Sequence, residues 1–234
     1  VATPAGDAAP DHPTGAIPGA DGLFHLDVDG TYTYTLNNSL PAIQHLGTTS
    51  TPLIDTVSYT AADSKGNQAS AHLAISIHGT NDAPTIKSSV VSTKEDTDYH
   101  FKASDISFSD IDGDTLDHIT VTQIDHGTLS LGGHTINAGD VVSAQDIEHL
   151  IFTPARNYHG FGALRYTVND GQDDSKVGLT FISVQDVADP ATFTGDSTGQ
   201  SQEDTTLQAS GTLTANDPDG TVGFIAVQGG VGIV

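Results

Sequence analysis

The segment LTFISV (residues 179–184) decides the fold class of this chain. It places Leu179 and Phe181 on one face of an extended backbone and Ile182 and Val184 on the other. This period-two alternation predicts a β-strand. Similar runs recur along the chain, at TYTYTL (31–36), HLAISI (72–77) and LRYTV (164–168). Helical periodicity is almost absent, so the sequence predicts an all-β chain built as a string of β-sandwiches.

Three local patterns refine this prediction. Gly132-Gly133 stands between two alternating runs and predicts a two-residue hairpin turn. The segment 143–150 predicts one short helix, with Ser143 as its N-cap and with Ile147 and Leu150 facing inward. The Thr-Tyr alternation at 31–36 has too few rungs for an ice- or glycan-facing ladder, and we interpret it as an ordinary edge strand.

Charge restricts the partners of the chain. Its 234 residues contain 7 Lys+Arg against 30 Asp+Glu, which gives a net charge of −23 with His neutral. Nucleic acids and anionic membrane surfaces recruit Lys and Arg, so this balance argues against both and favours cations. Solubility or salt adaptation is the alternative interpretation of the charge as a whole. The acids cluster in loops beside Gly, Asn and Pro, however, and the strand-like runs are nearly free of them.

Composition also excludes several kinds of chemistry. The chain has no Cys, which excludes disulfides, Cys-ligated zinc and a Cys nucleophile. It has no pair of His in H-x-x-x-H spacing, which further disfavours zinc. No nucleophile elbow, phosphate loop or Ser-His-Asp order appears, so we expect no enzyme. Without an initiator Met or a signal pattern, the chain is expected to be a piece of a longer protein.

Acidic landmarks repeat with a shift of about 107 residues. Four landmarks keep their order in both copies. The first copies are Tyr59-Thr60 with Asp63, Asn81-Asp82-Ala83-Pro84, Glu95-Asp96-Thr97 and Asp110-Ile111-Asp112-Gly113. The second copies, in the same order, are Tyr166-Thr167 with Asp170, Ala188-Asp189-Pro190, Glu203-Asp204-Thr205 and Asp217-Pro218-Asp219-Gly220.

Pro beside Asp makes a stiff, extended junction, so the repeat boundaries are placed near Pro84 and Pro190. We expect residues 1–83 to be the C-terminal part of one β-sandwich, which we call the head. Residues 84–189 have the size of a complete sandwich, which we call the middle repeat. Residues 190–234, the tail, would be the N-terminal part of a further domain of the head type. The tail is too short to bury a core alone, so we expect it to complete the head of a neighbouring chain.

The acidic loops at the junctions are candidates for metal binding. Asn and Asp side chains supply the oxygen ligands that Ca²⁺ takes in a flexible shell of six to eight, whereas Mg²⁺ requires a stricter octahedron. Asp110–Asp114 does not match an EF-hand, because Gly113 is at the fourth loop position and Val121 stands where a bidentate Glu is needed. Any single Asp here fits a turn or a cap, but recurrence of the set at two junctions favours calcium.

These motifs resemble those of giant bacterial RTX adhesins. LDVDGTYTYTLNN (26–38), LIDTVSYTAADSKG (53–66) and ISIHGTNDAP (75–84) resemble the VCBS repeat. The middle repeat, with SDIDGD (109–114), LIFTPARNYHGFGALRYTVNDG (150–171) and a final VADP (187–190), is similar to the cadherin-like tandem repeats of such adhesins. The implied fold is a tandem of Ig-like or cadherin-like β-sandwiches joined by calcium-binding linkers.

The resemblance implies two sets of calcium ligands. The first junction would use Asn81, Asp82, Glu95, Asp110 and Asp112, with Asp63 near it, and the second would use Asp186, Asp189, Glu203, Asp217 and Asp219, with Asp170 near it. Both sets depart from the cadherin pattern. Gly79 stands where the first linker should have an Asp, and Ala188 replaces the linker Asn of the second.

The resemblance further implies a structural extender that projects adhesive domains for cell adhesion or biofilm formation. It would leave a Gram-negative bacterium by type I secretion and fold in extracellular calcium. Its partners would be adjacent repeats of the same long chain, with a head-to-tail or swapped contact between chain copies. The alternative is a glycan- or receptor-binding module of the same adhesin class, although aromatic residues are only 6% of the chain.

Overall fold

The structure is a computed structural model that describes residues 15–205 and 208–225. The expected head (1–83) and tail (190–234) therefore extend outside the described residues. Packing divides the chain into two compact units. Unit 1 comprises residues up to Ile86 together with 108–118 and 168–176, and unit 2 comprises 87–107, 119–167 and the residues from Val177 onward.

Among the described residues, the head part of unit 1 contains five strands and one helical turn. The elements are β1 (Ala16–Pro18), β2 (Gly22–Leu26), β3 (Tyr32–Leu36), α1 (Pro41–Gln44), β4 (Leu53–Ala62) and β5 (Gln68–Ile77). Strands β1, β2 and β3 make an antiparallel sheet in that order, and β4 and β5 form a hairpin. Within the described residues β3 is an edge strand, which confirms the prediction made for residues 31–36.

A small apolar core holds these elements together. Ile43, Leu46 and Ile77 are buried and pack against half-buried side chains that include Leu36 and Ile75. In the alternating run 72–77, Ile75 and Ile77 therefore face the core. Each aliphatic side chain that is fully buried contributes about 1.5–3 kcal/mol to stability.

Asp55 is a buried carboxylate within this head. Only 1% of the residue is exposed, and its oxygens accept hydrogen bonds from the amides of Ala20 (2.9 Å) and Asp21 (3.0 Å) and from the Tyr34 hydroxyl (2.9 Å). Burial raises the pKa of Asp55, but these hydrogen bonds outweigh burial and hold the pKa below its ordinary value. Burial, followed by the Asp55 contact, raises the pKa of Tyr34 to about 12.

The middle repeat is a two-sheet sandwich. Its strands are β6 (Ser89–Lys94), β7 (Tyr99–His100), β8 (His118–Asp125), β9 (Gly127–Leu131), β10 (His134–Ile136), β11 (Val141–Ser143), β12 (Leu150–Pro154), β13 (Gly160–Asn169) and β14 (Gly178–Gln185). Two 3-10 helices span Ala103–Asp105 and Ala144–His149. One sheet has the order β10-β9-β12-β7 and the other β11-β8-β13-β14-β6. After this repeat, β15 (Thr192–Gly195) pairs with β16 (Leu213–Asn216).

Period-two alternation fills the interior of this sandwich. Ile119, Leu129, Leu164 and Tyr166 are fully buried. Ile182 and Val184 are buried as well, while Phe181 on the opposite face is 38% exposed. The face assignment made for residues 179–184 is therefore confirmed. Strand β14 pairs antiparallel with β13 and parallel with β6. The parallel pairing places the C-terminal ends of β6 and β14 at the same end of the sandwich.

The local predictions for this repeat are also confirmed. Gly132 and Gly133 adopt positive φ angles of 57° and 82°, as a type I′ turn requires, and connect β9 to β10. Ser143 caps the second 3-10 helix by accepting a hydrogen bond from the Asp146 amide. Ile147 and Leu150 are fully buried. Six residues are too few for a stable α-helix, which is consistent with the tighter 3-10 form.

We expect Asp55→Ala to destabilise the head selectively. The substitution leaves two amides and a hydroxyl without their acceptor, which costs about 1–3 kcal/mol per unsatisfied buried group. Amide hydrogen exchange at Ala20 and Asp21 measures this loss directly. Tyr34→Phe, which removes one hydroxyl and keeps the ring, should cost about 1 kcal/mol.

The effect of Asp55→Ala should depend on pH. Because the folded pKa of Asp55 is lowered, its stabilising effect is present above about pH 4, the unfolded value, and is lost as the pH falls through the folded pKa. The stability difference between wild type and Asp55→Ala should therefore shrink in acid. A difference that is independent of pH would contradict this role for the carboxylate.

Candidate metal centres

The loop between the 3-10 helix Ala103–Asp105 and β8 gathers three carboxylates. Asp110 Oδ1 accepts hydrogen bonds from the amides of Asp112 (2.8 Å) and Asp114 (3.1 Å), and Gly113 has a φ of 85°. The turn brings one carboxylate oxygen from each Asp within 4.8 Å of the others. We call these three residues the Asp110 cluster. Two oxygens bound at about 2.4 Å to one Ca²⁺ can be at most about 4.8 Å apart, and the three oxygens lie within that limit.

Two oxygens of this cluster are buried without a hydrogen bond. Asp110 Oδ2 and Asp112 Oδ1 have no partner within the part of the chain that the structure describes. The other oxygen of Asp112 accepts a hydrogen bond of 2.7 Å from the amide of Asp82 in the linker. An ionised oxygen that is removed from water and left without a donor is costly, and a cation would satisfy both oxygens.

A second loop of the middle repeat contacts the same linker. Asp170 is 9% exposed and accepts hydrogen bonds of 2.7 Å from the amides of Gln172 and Asp173. The Asn81 side-chain amide donates to Asp170 (3.1 Å) and to Asp173 (2.9 Å), and Asn81 Oδ1 accepts from Gln172 (2.8 Å). Asn81 therefore bridges two carboxylates with its nitrogen, and Asp82 joins the site through its backbone with an exposed side chain.

The electrostatics of these residues reflect crowding of like charges. Desolvation, followed by the charges of Asp110, Asp170 and Asp112, raises the pKa of Asp114. Burial also acts to raise the pKa of Asp170, but hydrogen bonds from Asp173, Asn81 and Gln172 outweigh it, so this pKa is lowered. Hydrogen bonds therefore favour the ionised form of Asp170, whereas crowding by like charges disfavours the ionised form of Asp114.

The same linker geometry recurs in unit 2. The Asp189 amide donates to Asp219, and the Asp219 amide donates to Asp217 Oδ1 at 2.9 Å. These bonds match those from Asp82 to Asp112 and from Asp112 to Asp110, at the shift found in the sequence. Two further matching bonds are those of Thr85 Oγ1 to Ser109 O (3.1 Å) and of Thr192 Oγ1 to Asn216 O (3.2 Å). The sequence repeat is therefore also a repeat of backbone geometry.

Glu95 belongs to another group of residues at the exit of β14. Its amide donates to Gln185 O at 2.9 Å, and its Oε1 accepts a hydrogen bond from the Val187 amide. Glu95 is only 4% exposed, and its Oε2 is buried with no partner in residues 15–205 and 208–225. One ligand atom each of Glu95, His159 and Asp186 lies within 4.8 Å of the others. We call this group the Glu95 cluster.

This placement corrects the expected first set, because Glu95 groups with Asp186 and not with Asp110. The reason is the parallel pairing of β6 with β14, in which Lys94 stands opposite Gln185. The residue after β6 therefore reaches the end at which β14 enters the next linker. Glu203, the counterpart of Glu95, lies in an exposed turn. The residues that follow these two Glu residues share a positive φ angle, which is 50° at Asp96 and 64° at Asp204.

The two Asp residues that follow the Tyr-Thr landmarks are also placed differently. Asp63 lies in the turn between β4 and β5, whereas Asn81 follows the opposite end of β5, a ten-residue strand that spans about 34 Å. Asp63 accepts hydrogen bonds from Lys65 and Asn67 of its own turn. Asp170 likewise lies at the β13–β14 turn and contacts the first linker, not the second. The turn of a hairpin lies opposite the strand end that feeds the next linker.

The residue at position 79 has a steric explanation. A Cβ added at Gly79 would overlap the backbone carbonyl of Leu46, so an Asp is excluded there by the close approach of two chain segments. The missing ligand of the first linker therefore follows from local packing. Sequence reasoning also missed His159, Gln172 and Asp173, because their contacts depend on loops that are distant in sequence from the linkers.

Comparison with known families agrees with this fold. Residues 80–185 match the model of a family described as the cadherin-like domain, so a cadherin-like domain is present in the chain. The boundaries expected from sequence were 84 and 189. Such domains are typically non-enzymatic, generally bind Ca²⁺ and suggest an adhesion or extender role in an extracellular or surface protein. A search of curated proteins finds no match. No helix in the described ranges is long and apolar enough to span a bilayer.

Asp114→Asn should have opposite effects with and without calcium. In EDTA the substitution removes like-charge repulsion from Asp110, Asp170 and Asp112, so we expect the Tm to rise. In millimolar Ca²⁺ the same substitution removes a ligand charge and should lower the Tm. Differential scanning calorimetry measures both values.

Glu148→Gln is the matched control, because it makes the same charge change at an exposed site in the second 3-10 helix. It should shift the Tm in the same direction under both conditions. An Asp114→Asn effect of one sign in both conditions would argue against a cation at this loop.

Proposed function

We propose that this chain is a structural extender segment of a bacterial surface adhesin of the RTX type. In this proposal Ca²⁺ at the junctions of successive β-sandwich repeats holds them in line, so that adhesive domains are projected for cell adhesion or biofilm formation. The observation that supports it best is the set of buried carboxylate oxygens without a partner in the described residues, all of which belong to residues at the linkers. The cadherin-like domain at residues 80–185 supports the same class of function.

Calcium fits the donors that the Asp110 cluster offers. All three of its ligand atoms are carboxylate oxygens, and hard oxygen donors are what Ca²⁺ takes. Sites of this kind in extracellular modules bind Ca²⁺ at about 10⁻⁴–10⁻³ M, so extracellular calcium saturates them and cytosolic calcium does not. We propose the matching loop at Asp217 and Asp219 as the corresponding ligands of the second junction.

The proposed mechanism is mechanical. The first linker is tied to two loops of the middle repeat, through Asp82 to Asp112 and through Asn81 to Asp170. A cation on the Asp110 cluster would neutralise the charges that oppose this contact and would lock the loop around the linker. A locked linker loses the hinge freedom that an unliganded chain segment keeps. The repeats would then act as one stiff segment.

The cellular setting belongs to the same proposal. We place the protein at the surface of a Gram-negative bacterium, exported by type I secretion as an unfolded chain and folded by calcium outside the cell. Its partners are the adjacent repeats of the same long chain. A head-to-tail contact between chain copies, in which the tail of one completes the head of another, stays a prediction.

A second candidate function is the binding of a glycan by the head. An open cavity of about 660 Å³ lies between the two sheets of the head and is lined by Tyr32, Tyr59 and Leu73, among others. Aromatic and apolar side chains with a few polar groups are the usual lining of a small-molecule site. A glycan array distinguishes the two functions, because an extender segment should bind no glycan on it.

Small-angle scattering tests the extender function. We expect the maximum dimension of the wild-type chain to fall when EDTA replaces millimolar Ca²⁺, because the linkers regain hinge freedom. Asp110→Ala combined with Asp112→Ala should reduce this response by removing the ligands of the first junction. Circular dichroism should show that the middle repeat stays folded in this variant.

Asp63→Ala is the control for this experiment, since Asp63 is exposed and bonds only within its own turn among the described residues. Its response to EDTA should match that of wild type. A maximum dimension that does not change on calcium removal would defeat the proposed mechanism.

A further inference from the structure

The outer face of the five-stranded sheet of the middle repeat carries an exposed aromatic pair. Phe161 on β13 and Phe181 on β14 pack edge to face, with ring centroids 6.5 Å apart. Val90 on β6 stands opposite Phe181 in the strand register, so its side chain lies on the same face. Phe161 is 65% exposed, Val90 67% and Phe181 38%. We call these three residues the aromatic patch.

The charge of this face differs from that of the chain. Strands β6, β13 and β14 contain no acidic residue, although the whole chain has 30 Asp+Glu against 7 Lys+Arg. Two of the basic residues, Lys94 and Arg165, share the face of the patch by period-two alternation. Arg165 Nε lies 3.7 Å from Asp125 Oδ2 on β8, so this pair is neutral. The face is therefore close to neutral in a chain whose net charge is −23.

The chemistry of the patch favours a protein partner. Exposed apolar patches mark contacts with proteins, membranes or ligands. The net charge of −23 argues against an anionic membrane surface. Phe and Val lack the polar groups that a glycan site places among its apolar ones. Of these partners, a protein surface fits the patch best.

We propose that the aromatic patch is a weak lateral contact between two copies of this chain. Copies that each carry a charge of −23 repel one another, and at physiological ionic strength this repulsion extends about 8 Å from the surface. A face whose strands hold no acidic residue is where two copies can approach with the least repulsion. There the rings of Phe161 and Phe181 can pack against those of the second copy and leave water.

The size of the face limits the strength of this contact. From Leu179 to Gln185 the outer face of β14 extends about 20 Å, and three strands side by side are about 15 Å wide. The footprint of about 300 Å² is well below the roughly 800 Å² per partner that a stable interface buries. A single pair of patches should therefore associate only transiently, with a Kd of about 1 mM or weaker.

The contact goes beyond the proposed function, and only its consequence for a fibre rests on that function. Tandem repeats held in line would present many such patches along two neighbouring chains. Each contact would raise the effective concentration of the next, so that weak contacts add to a strong one. Extender segments would then associate side by side.

Dilution of the ¹⁵N-labelled full chain tests the contact. We propose to record ¹H–¹⁵N correlation spectra from micromolar to millimolar protein concentration in a constant excess of Ca²⁺. We expect concentration-dependent shifts at the amides of β6, β13 and β14. Raising the NaCl concentration should strengthen the association, because salt screens the repulsion between copies. An association that weakens with salt would contradict an apolar contact.

Phe161→Ser combined with Phe181→Ser should weaken the association about tenfold or more, because both variants remove rings from the centre of the contact. Phe193→Ser is the matched control, since Phe193 on β15 is 68% exposed and also belongs to an aromatic pair. It should associate like wild type. Melting curves show whether each variant folds. Lys94→Glu keeps the test valid if the double variant does not fold, because it adds an acid to the face and should also weaken the association.

Sedimentation equilibrium and the map of shifted amides decide the outcome. A monomer at every concentration overturns the proposal. Shifts confined to β1–β5 would assign self-association to the head and would overturn it as well. So would a glycan that shifts the amides of the patch when dilution does not.

Calcium calorimetry on the same samples keeps this inference separate from the proposed function. If Ca²⁺ binds as expected while the copies do not associate through the patch, only the lateral contact fails. If the patch associates while no Ca²⁺ binding is detected, only the calcium mechanism fails.

Discussion

The linkers of this protein are shaped by carboxylates that are crowded and partly withdrawn from water. Glu95 Oε2, Asp110 Oδ2 and Asp112 Oδ1 are buried and, within the described residues, accept no hydrogen bond. An ionised oxygen in this position loses hydration and gains no compensating contact. Basic side chains are scarce, since the chain has 7 Lys+Arg against 30 Asp+Glu. Because few basic side chains can neutralise these carboxylates, we propose that a bound divalent cation does so. The proposed rigidity of the linkers depends on this cation.

Strand direction decides which acids meet at a linker. The β13–β14 hairpin has its turn at one end of the sandwich and the end of β14 at the other. Asp170, in the turn, therefore contacts the linker that precedes the middle repeat. Asp186, which follows β14, lies at the linker that follows this repeat. The parallel pairing of β6 with β14 carries Glu95 to the exit end. The first linker therefore contacts two loops of the repeat that follows it.

Much of the fold could be predicted from the sequence, because period-two alternation and turn glycines are local signals. Ile182, Val184 and the Gly132-Gly133 turn are where the pattern places them. The composition of the candidate sites was visible too, since Asp110 and Asp112 recur as Asp217 and Asp219. The sequence could not show which linker or turn Glu95, Asp63 and Asp170 each belong to, because that depends on which strands pair and in which direction. His159 and the Gly79–Leu46 contact depend on tertiary packing that leaves no local signal.

Anomalous diffraction from crystals grown in millimolar CaCl₂ tests the central claim most directly. The account predicts a calcium peak about 2.3–2.6 Å from both Asp110 Oδ2 and Asp112 Oδ1. Well-ordered loops with both oxygens bound only by water or by protein donors, and with no anomalous peak between them, would contradict it.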